Sequence, residues 1–214
     1  MSNDDRLSRL GPLSGALFVA LELGGVAVGA ADGRAMAALG DPTAKIVKAF
    51  ADPAGTGVWI GAYMELVSLA AFAVFAAWLF RARRGPLATA GLLSAGVYVA
   101  VTATALVVGD VLEYRSGQGL GAQEILSLFY LQSGLFVTTW GVAAAFLALV
   151  PVTGWLRRSA LVIAGLQLVA MAAPTGGPSQ FPNMLFMIWI VVASVALARR
   201  PQAIASRTPA AVRA

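Results

Sequence analysis

Apolar residues along this chain fall in long blocks separated by short polar or basic breaks. The blocks run from Leu10 to Ala31, Val58 to Phe80, Leu87 to Gly109, Ile125 to Val150, Trp155 to Ala173 and Phe181 to Ala198. A helix needs about 20 mostly apolar residues to cross about 30 Å of hydrocarbon. The pattern therefore predicts an all-α, polytopic membrane bundle of six transmembrane helices over residues 1–200. The segment 201–214 is rich in Pro, Ala, Ser and Arg, lacks periodicity, and is expected to form a disordered cytoplasmic tail. The first block follows Arg6 and Arg9 and ends in small residues, as a signal peptide does. Its apolar run is longer than the usual ~7–15 residues and carries Glu22 in its middle, so a retained helix is expected.

Composition sharpens the class. Of 214 residues, 59% are hydrophobic and 12% charged, and the mean hydropathy is +0.80. A soluble chain carries about twice that share of charge. There is no Cys, which excludes disulfides, iron–sulfur clusters and cysteine nucleophiles. There is no His, which removes the usual zinc sites, His-ligated haem and the Ser–His pair. No metal and no cofactor is expected. An enzyme is the least favoured class, because only carboxylates remain to act as acid and base.

The basic residues set the orientation. Arg6, Arg9, Arg81, Arg83, Arg84, Arg157, Arg158, Arg199, Arg200, Arg207 and Arg213 fall on one side of the six blocks. Only Arg34, Lys45, Lys48 and Arg115 fall on the other. Both termini are thus expected in the cytoplasm, with the protein multi-pass in the cell (plasma) membrane. The net charge of +5 follows from that asymmetry and gives no reason to invoke nucleic acid.

Two connections on the outer side have some length. Asp41-Pro42-Thr43 reads as an N-cap followed by Pro at the first helical position. Ile46, Val47 and Phe50 then share one face and Lys45 and Lys48 another. Such a helix either lies in the interface with its apolar side in lipid or forms a lid over an outer cavity. The segment 110–124 reads as a loop whose Asp110, Glu113 and Glu124 are solvated charges; it lacks the spacing of a calcium loop. Trp59, Tyr63 and Tyr130 at the outer boundary, and Trp78 and Trp155 at the inner one, read as interfacial aromatics. Trp140 and Trp189 lie deeper and read as packing.

Inside the blocks stand a few polar side chains. An ionisable residue at the centre of a span costs about 2.5–3.5 kcal/mol on insertion scales and normally faces the bundle or a water-filled cavity. At 1.5 Å per residue, Glu22 lies about 13 Å below the outer end of its helix, and Glu65, Thr102, Gln132 and Gln167 about 10 Å. The five form one expected polar layer in the outer half of the bilayer. In the first helix Gly11, Gly15, Phe18, Glu22, Gly25 and Gly29 follow a repeat of 4, 3, 4, 3, 4 and therefore share a face. Gly11–Gly15 and Gly25–Gly29 are GxxxG pairs, which let helices approach closely. In the second, Gly61, Glu65, Ser68 and Phe72 share a face. Gln132 has Leu128, Leu135 and Thr139 beside it, and Gln167 has Ala160, Ala164 and Ala170. The layer reads either as interhelical glue or as a polar cavity.

Three segments carry a resemblance: LSRLGPLSGALFVAL (Leu7 to Leu21), PTAKIVKAFADPAGTGVWIGAYMEL (Pro42 to Leu66) and VTGWLRRSALVIAGLQLV (Val152 to Val169). The Ala-x-x-Glu-Leu start of the second helix (Ala62, Glu65, Leu66) and the Gly-Trp-Leu-Arg lead into the fifth are similar to a loose group of uncharacterised six-helix bacterial integral membrane proteins, a domain of unknown function. The resemblance implies that Glu65 is a group feature; Glu22 falls outside the group's pattern. It implies no activity. Two functional expectations stand side by side. One is a protein that binds or transports a small molecule or a proton through the polar layer. The other is a non-catalytic membrane component that associates through its helices with a membrane protein partner.

Overall fold

The computed structural model describes residues 3–32, 37–81, 83–174 and 177–199, with side chains from residue 10 onward except 177–179. The described residues form seven helices and no sheet: α1 (Asn3–Ala30), α2 (Thr43–Ala49), α3 (Thr56–Phe80), α4 (Pro86–Arg115), α5 (Ala122–Leu149), α6 (Gly154–Ala172) and α7 (Gly177–Arg199). All but α2 are long and apolar enough to cross a membrane. The expected tail, 201–214, lies outside the described residues.

The six long helices close into a ring in chain order, α1 against α3, then α4, α5, α6 and α7, which returns to α1. Short connections explain the order, since consecutive helices with short links become antiparallel neighbours. At the α3–α4 turn Gly85 adopts φ +109, open to glycine but strained for other residues, and Pro86 then starts α4. At the start of α5 the Gly121 N–H donates to the Glu124 carboxylate at 2.9 Å.

One aromatic ring from each of five helices fills the middle of the bundle. Phe72 of α3 is the hub: its centroid lies 5.1 Å from Phe18 of α1, 4.9 Å from Tyr98 of α4, 5.3 Å from Phe146 of α5 and 6.2 Å from Phe186 of α7. Offset and tilted ring pairs at these spacings add to area burial. Outward faces stay apolar, with Leu13, Leu17, Leu93, Val162, Val169 and Ile188 exposed along four helices. In water such surface would drive aggregation; against lipid it costs nothing.

Four sequence expectations change. First, α4 continues through Asp110 and Glu113 to Arg115, so the expected loop 110–124 shrinks to residues 116–121. Hydropathy ends at the membrane edge, but helical hydrogen bonding does not. Second, α2 begins at Thr43 with Pro42 as its cap. Asp41 does not cap it. Its carboxylate accepts the Ala38 N–H at 2.7 Å and the Lys45 ammonium at 2.9 Å, which together hold its pKa below the usual carboxylate range. Third, the apolar face of α2 packs on protein: Ile46, Ala49 and Phe50 are buried with Leu112, Ile125 and Phe129. The Phe50 and Phe129 rings are 6.2 Å apart. Fourth, Trp78 is no interfacial aromatic; it is 6% exposed, packed on Gly11, with the Arg81 guanidinium 4.6 Å from its ring. Trp59, Tyr63, Tyr130 and Trp155 are exposed, as an aromatic belt requires, and Trp140 and Trp189 are buried.

Candidate functional site: a polar vestibule above an aromatic floor

The site begins with the α1–α3 pair, the most extensive helix contact in the ring. The two faces meet rung by rung, antiparallel: Gly11 on Trp78, Gly15 on Phe75, Phe18 on Phe72, Glu22 on Ser68, Gly25 on Gly61. At the last rung the backbones nearly touch. A Cβ on Gly25 would stand 2.7 Å from the Gly61 carbonyl oxygen and 2.9 Å from Glu65 Cγ; one on Gly61 would stand 2.5 Å from the Gly25 carbonyl oxygen. Gly29 has more room, its nearest such atom being Val58 Cα at 3.9 Å. Gly15 also meets Ser194 of α7, which ties the third helix into the seam.

Above the aromatic floor, on the α2 side, the ring holds two cavities. The larger, about 360 Å³, is lined by Glu22, Thr102, Gln132, Ser133 and Thr139, with Tyr98 from the floor and Phe129, Phe136 and Trp140 as walls. Residues 37–39 of the α1–α2 connection also line it. The smaller, about 260 Å³, is lined by Glu65, Asp110, Glu113 and Gln132, with Ala49 and Phe50 of the α2 region over it. Gln132 and Phe129 line both cavities and so form a common wall. Gln132 reaches that place because α4 offers it a glycine: its amide lies where a Cβ on Gly109 would be. Among the described residues no Lys or Arg lines either cavity.

The five layer residues are thus distributed as follows. Glu22, Thr102 and Gln132 line the larger cavity, and Glu65 and Gln132 the smaller. Gln167 lines neither; it is fully buried in α6 and neither atom of its amide has a hydrogen-bond partner. The Glu22 carboxyl meets Ser68, with Glu22 Oε2 2.7 Å from Ser68 Oγ, instead of Glu65 or a glutamine. Thr102 is 4% exposed, with its hydroxyl against that of Tyr98.

Asp110 and Glu113 were missed as cavity residues because they read as loop charges. Their i, i+3 spacing on an extended α4 was the available signal. Among the described residues no group of three acidic side chains is arranged to hold a metal ion. The geometry offers hydrogen-bond acceptors, carboxyls and aromatic side chains in a low-dielectric pocket. Compared with protein-family models, with curated proteins and with solved structures, the chain matches none.

Proposed function

We propose that this chain, whose six long apolar helices are those of an integral multi-pass membrane protein, binds a small molecule or a proton in the vestibule on its α2 side. The single observation behind this reading is the paired cavities, which put two intramembrane carboxyls within reach of space and share Gln132 as a wall. Intramembrane acids are costly and are usually retained where a pathway uses them. With eleven basic residues on the side of the termini and four on the side of α2, the vestibule faces outward from the cytoplasm in the plasma membrane. Kinship with the uncharacterised six-helix bacterial group belongs to the same proposal. The alternative, association with a membrane protein partner through the glycine seam, is disfavoured because α3 already occupies that seam.

The absence of cysteine makes the test clean. In right-side-out cells, an impermeant maleimide should label Ala51→Cys and leave Arg84→Cys unlabelled. Ser133→Cys, in the larger cavity, should label with a small permeant thiol reagent. A thermal-shift screen of cationic, neutral and anionic small molecules should find a stabilising ligand whose effect vanishes in Gln132→Leu. An unreactive Ser133→Cys together with a blank screen would sink the proposal.

A further inference from the structure

This inference deepens the vestibule reading and rests on it. It starts from one hydroxyl. Ser68 Oγ lies 2.6 Å from the Glu65 carbonyl oxygen and 2.7 Å from Glu22 Oε2. A serine hydroxyl has one hydrogen to donate, and both contacts are short for an O–H···O bond. A carbonyl only accepts, so the hydroxyl donates to Glu65 C=O. The second contact then needs its hydrogen from the other side. A protonated Glu22 carboxyl would supply it by donating to Ser68 Oγ, so that the pair shares one proton.

Among the described residues, the surroundings of Glu22 offer no permanent counter-charge. From α3 comes Glu65, from α4 Tyr98, with Asp110 and Glu113 farther up that helix; α5 and α7 bring only neutral side chains to the cavity, among them Gln132, Ser133 and Asn183. A second observation is independent of the acids. Thr102, nine-tenths buried, lines the same cavity with its hydroxyl against that of Tyr98. That pair of hydroxyls can receive the polar atoms that accompany an occupant. The third observation is the wall. Tyr98, Phe129, Phe136 and Trp140 line the pocket, and aromatic faces attract cations, quaternary ammonium groups in particular. At about 360 Å³ the cavity sits at the small end of ligand sites, which run about 300–1,000 Å³.

We infer that the larger cavity binds a monovalent organic cation with an apolar or aromatic body, and that its entry displaces the proton shared by Glu22 and Ser68. The Glu22 O–H bond breaks, the proton leaves to water through the vestibule, and the carboxylate pairs with the incoming charge. One positive charge replaces another, so the net charge of the cavity is unchanged. The Thr102 hydroxyl donates to whatever acceptor or ordered water accompanies the cation.

The test uses the full chain in nanodiscs and benzyltrimethylammonium as the probe, with its uncharged carbon isostere neopentylbenzene and with benzoate as controls. Calorimetry in two buffers of different ionisation enthalpy counts protons. About one proton should be released per cation bound, and affinity should rise about tenfold per pH unit while the proton competes. Glu22→Gln, which keeps shape and hydrogen bonding, should abolish proton release and weaken binding at least tenfold. Thr102→Val should weaken it about three- to tenfold while leaving release intact. The carboxylic-acid infrared band of the free protein should lose a component in Glu22→Gln and shift in Ser68→Ala. Cation binding without proton release, or no Glu22 component in that band, overturns the inference. So does a vestibule that takes neopentylbenzene or benzoate but not the cation, an outcome that leaves the broader ligand-binding proposal standing. A blank with all three probes and an unreactive Ser133→Cys overturns both.

Discussion

The close backbone approach of α1 and α3 at Gly25 and Gly61 gives the most discriminating stability test. Gly61→Ala adds a methyl 2.5 Å from the Gly25 carbonyl oxygen and 3.2 Å from the Gly29 nitrogen. Ordinary contact begins at 3.4 Å, so α1 and α3 must part by about 0.9 Å at this rung. The atoms in the way are backbone, which cannot swing aside as a side chain does. Overpacking of this kind costs about 1–3 kcal/mol, and the helix preference of Ala over Gly returns about 0.8–1 kcal/mol. With no side chain to yield, we expect the upper part of that range, a net loss of about 1–2 kcal/mol, or about 2–8 °C in Tm for a chain of this length. Gly29→Ala is the internal control. Its new methyl finds its nearest neighbour at 3.9 Å, so only the propensity gain remains and Tm should hold or rise. Gly61→Ala should also disturb the site. Glu65 lies one turn further along α3, and separating the helices lengthens the Ser68–Glu22 contact, which an infrared shift of the carboxyl band reports. Melting curves in one detergent decide the matter. If Gly61→Ala melts at or above Gly29→Ala, the α1–α3 seam is not packed as described.

Three further outcomes follow from other parts of the structure. Gln167→Leu removes two unpartnered polar atoms from a fully buried position and should stabilise the protein by about 1–3 kcal/mol, read as a higher Tm. Ile46→Ala cuts away the buried anchor of α2, a loss of about 2–5 kcal/mol in a packed site; labelling of a thiol placed at Ala62 in the smaller cavity should accelerate, and an unchanged rate would remove α2 as a lid. Asp41 keeps its charge to lower pH in the folded protein than in the unfolded chain. Its support of the α1–α2 connection is therefore complete above about pH 4 and fades as acid is added through the lower folded value; amide exchange at Ala38 should quicken there, and already at pH 7 in Asp41→Asn.

What the chain alone determines is tied to one dimension. Hydropathy and length mark six helices, because every span must satisfy its backbone within itself. A 3.5-residue repeat marks the α1 face, because rotation per residue is fixed along a helix. Gly11, Gly15 and Gly25 then stand where the seam puts them, against α3, with Gly15 also meeting α7. Depth is estimated in the same way; Glu22, Thr102 and Gln132 line one cavity, and Glu65 and Gln132 the one beside it. The angle about the axis relative to neighbours is not. Gln132 and Gln167 have the same expected depth, yet one divides two cavities and the other is sealed in the core. Only the tertiary structure decides that, since it depends on which helix offers a glycine, as α4 does with Gly109. The fate of α2 was equally undecided by pattern: Ile46 and Phe50 leave water whether they meet lipid or Phe129, and apolar burial has no direction. Trp78 illustrates the same limit, since a residue near the end of a span faces headgroups or a neighbour, and the gap left by Gly11 settles it. Periodicity fixes what a helix presents; the partner's shape fixes what that face becomes.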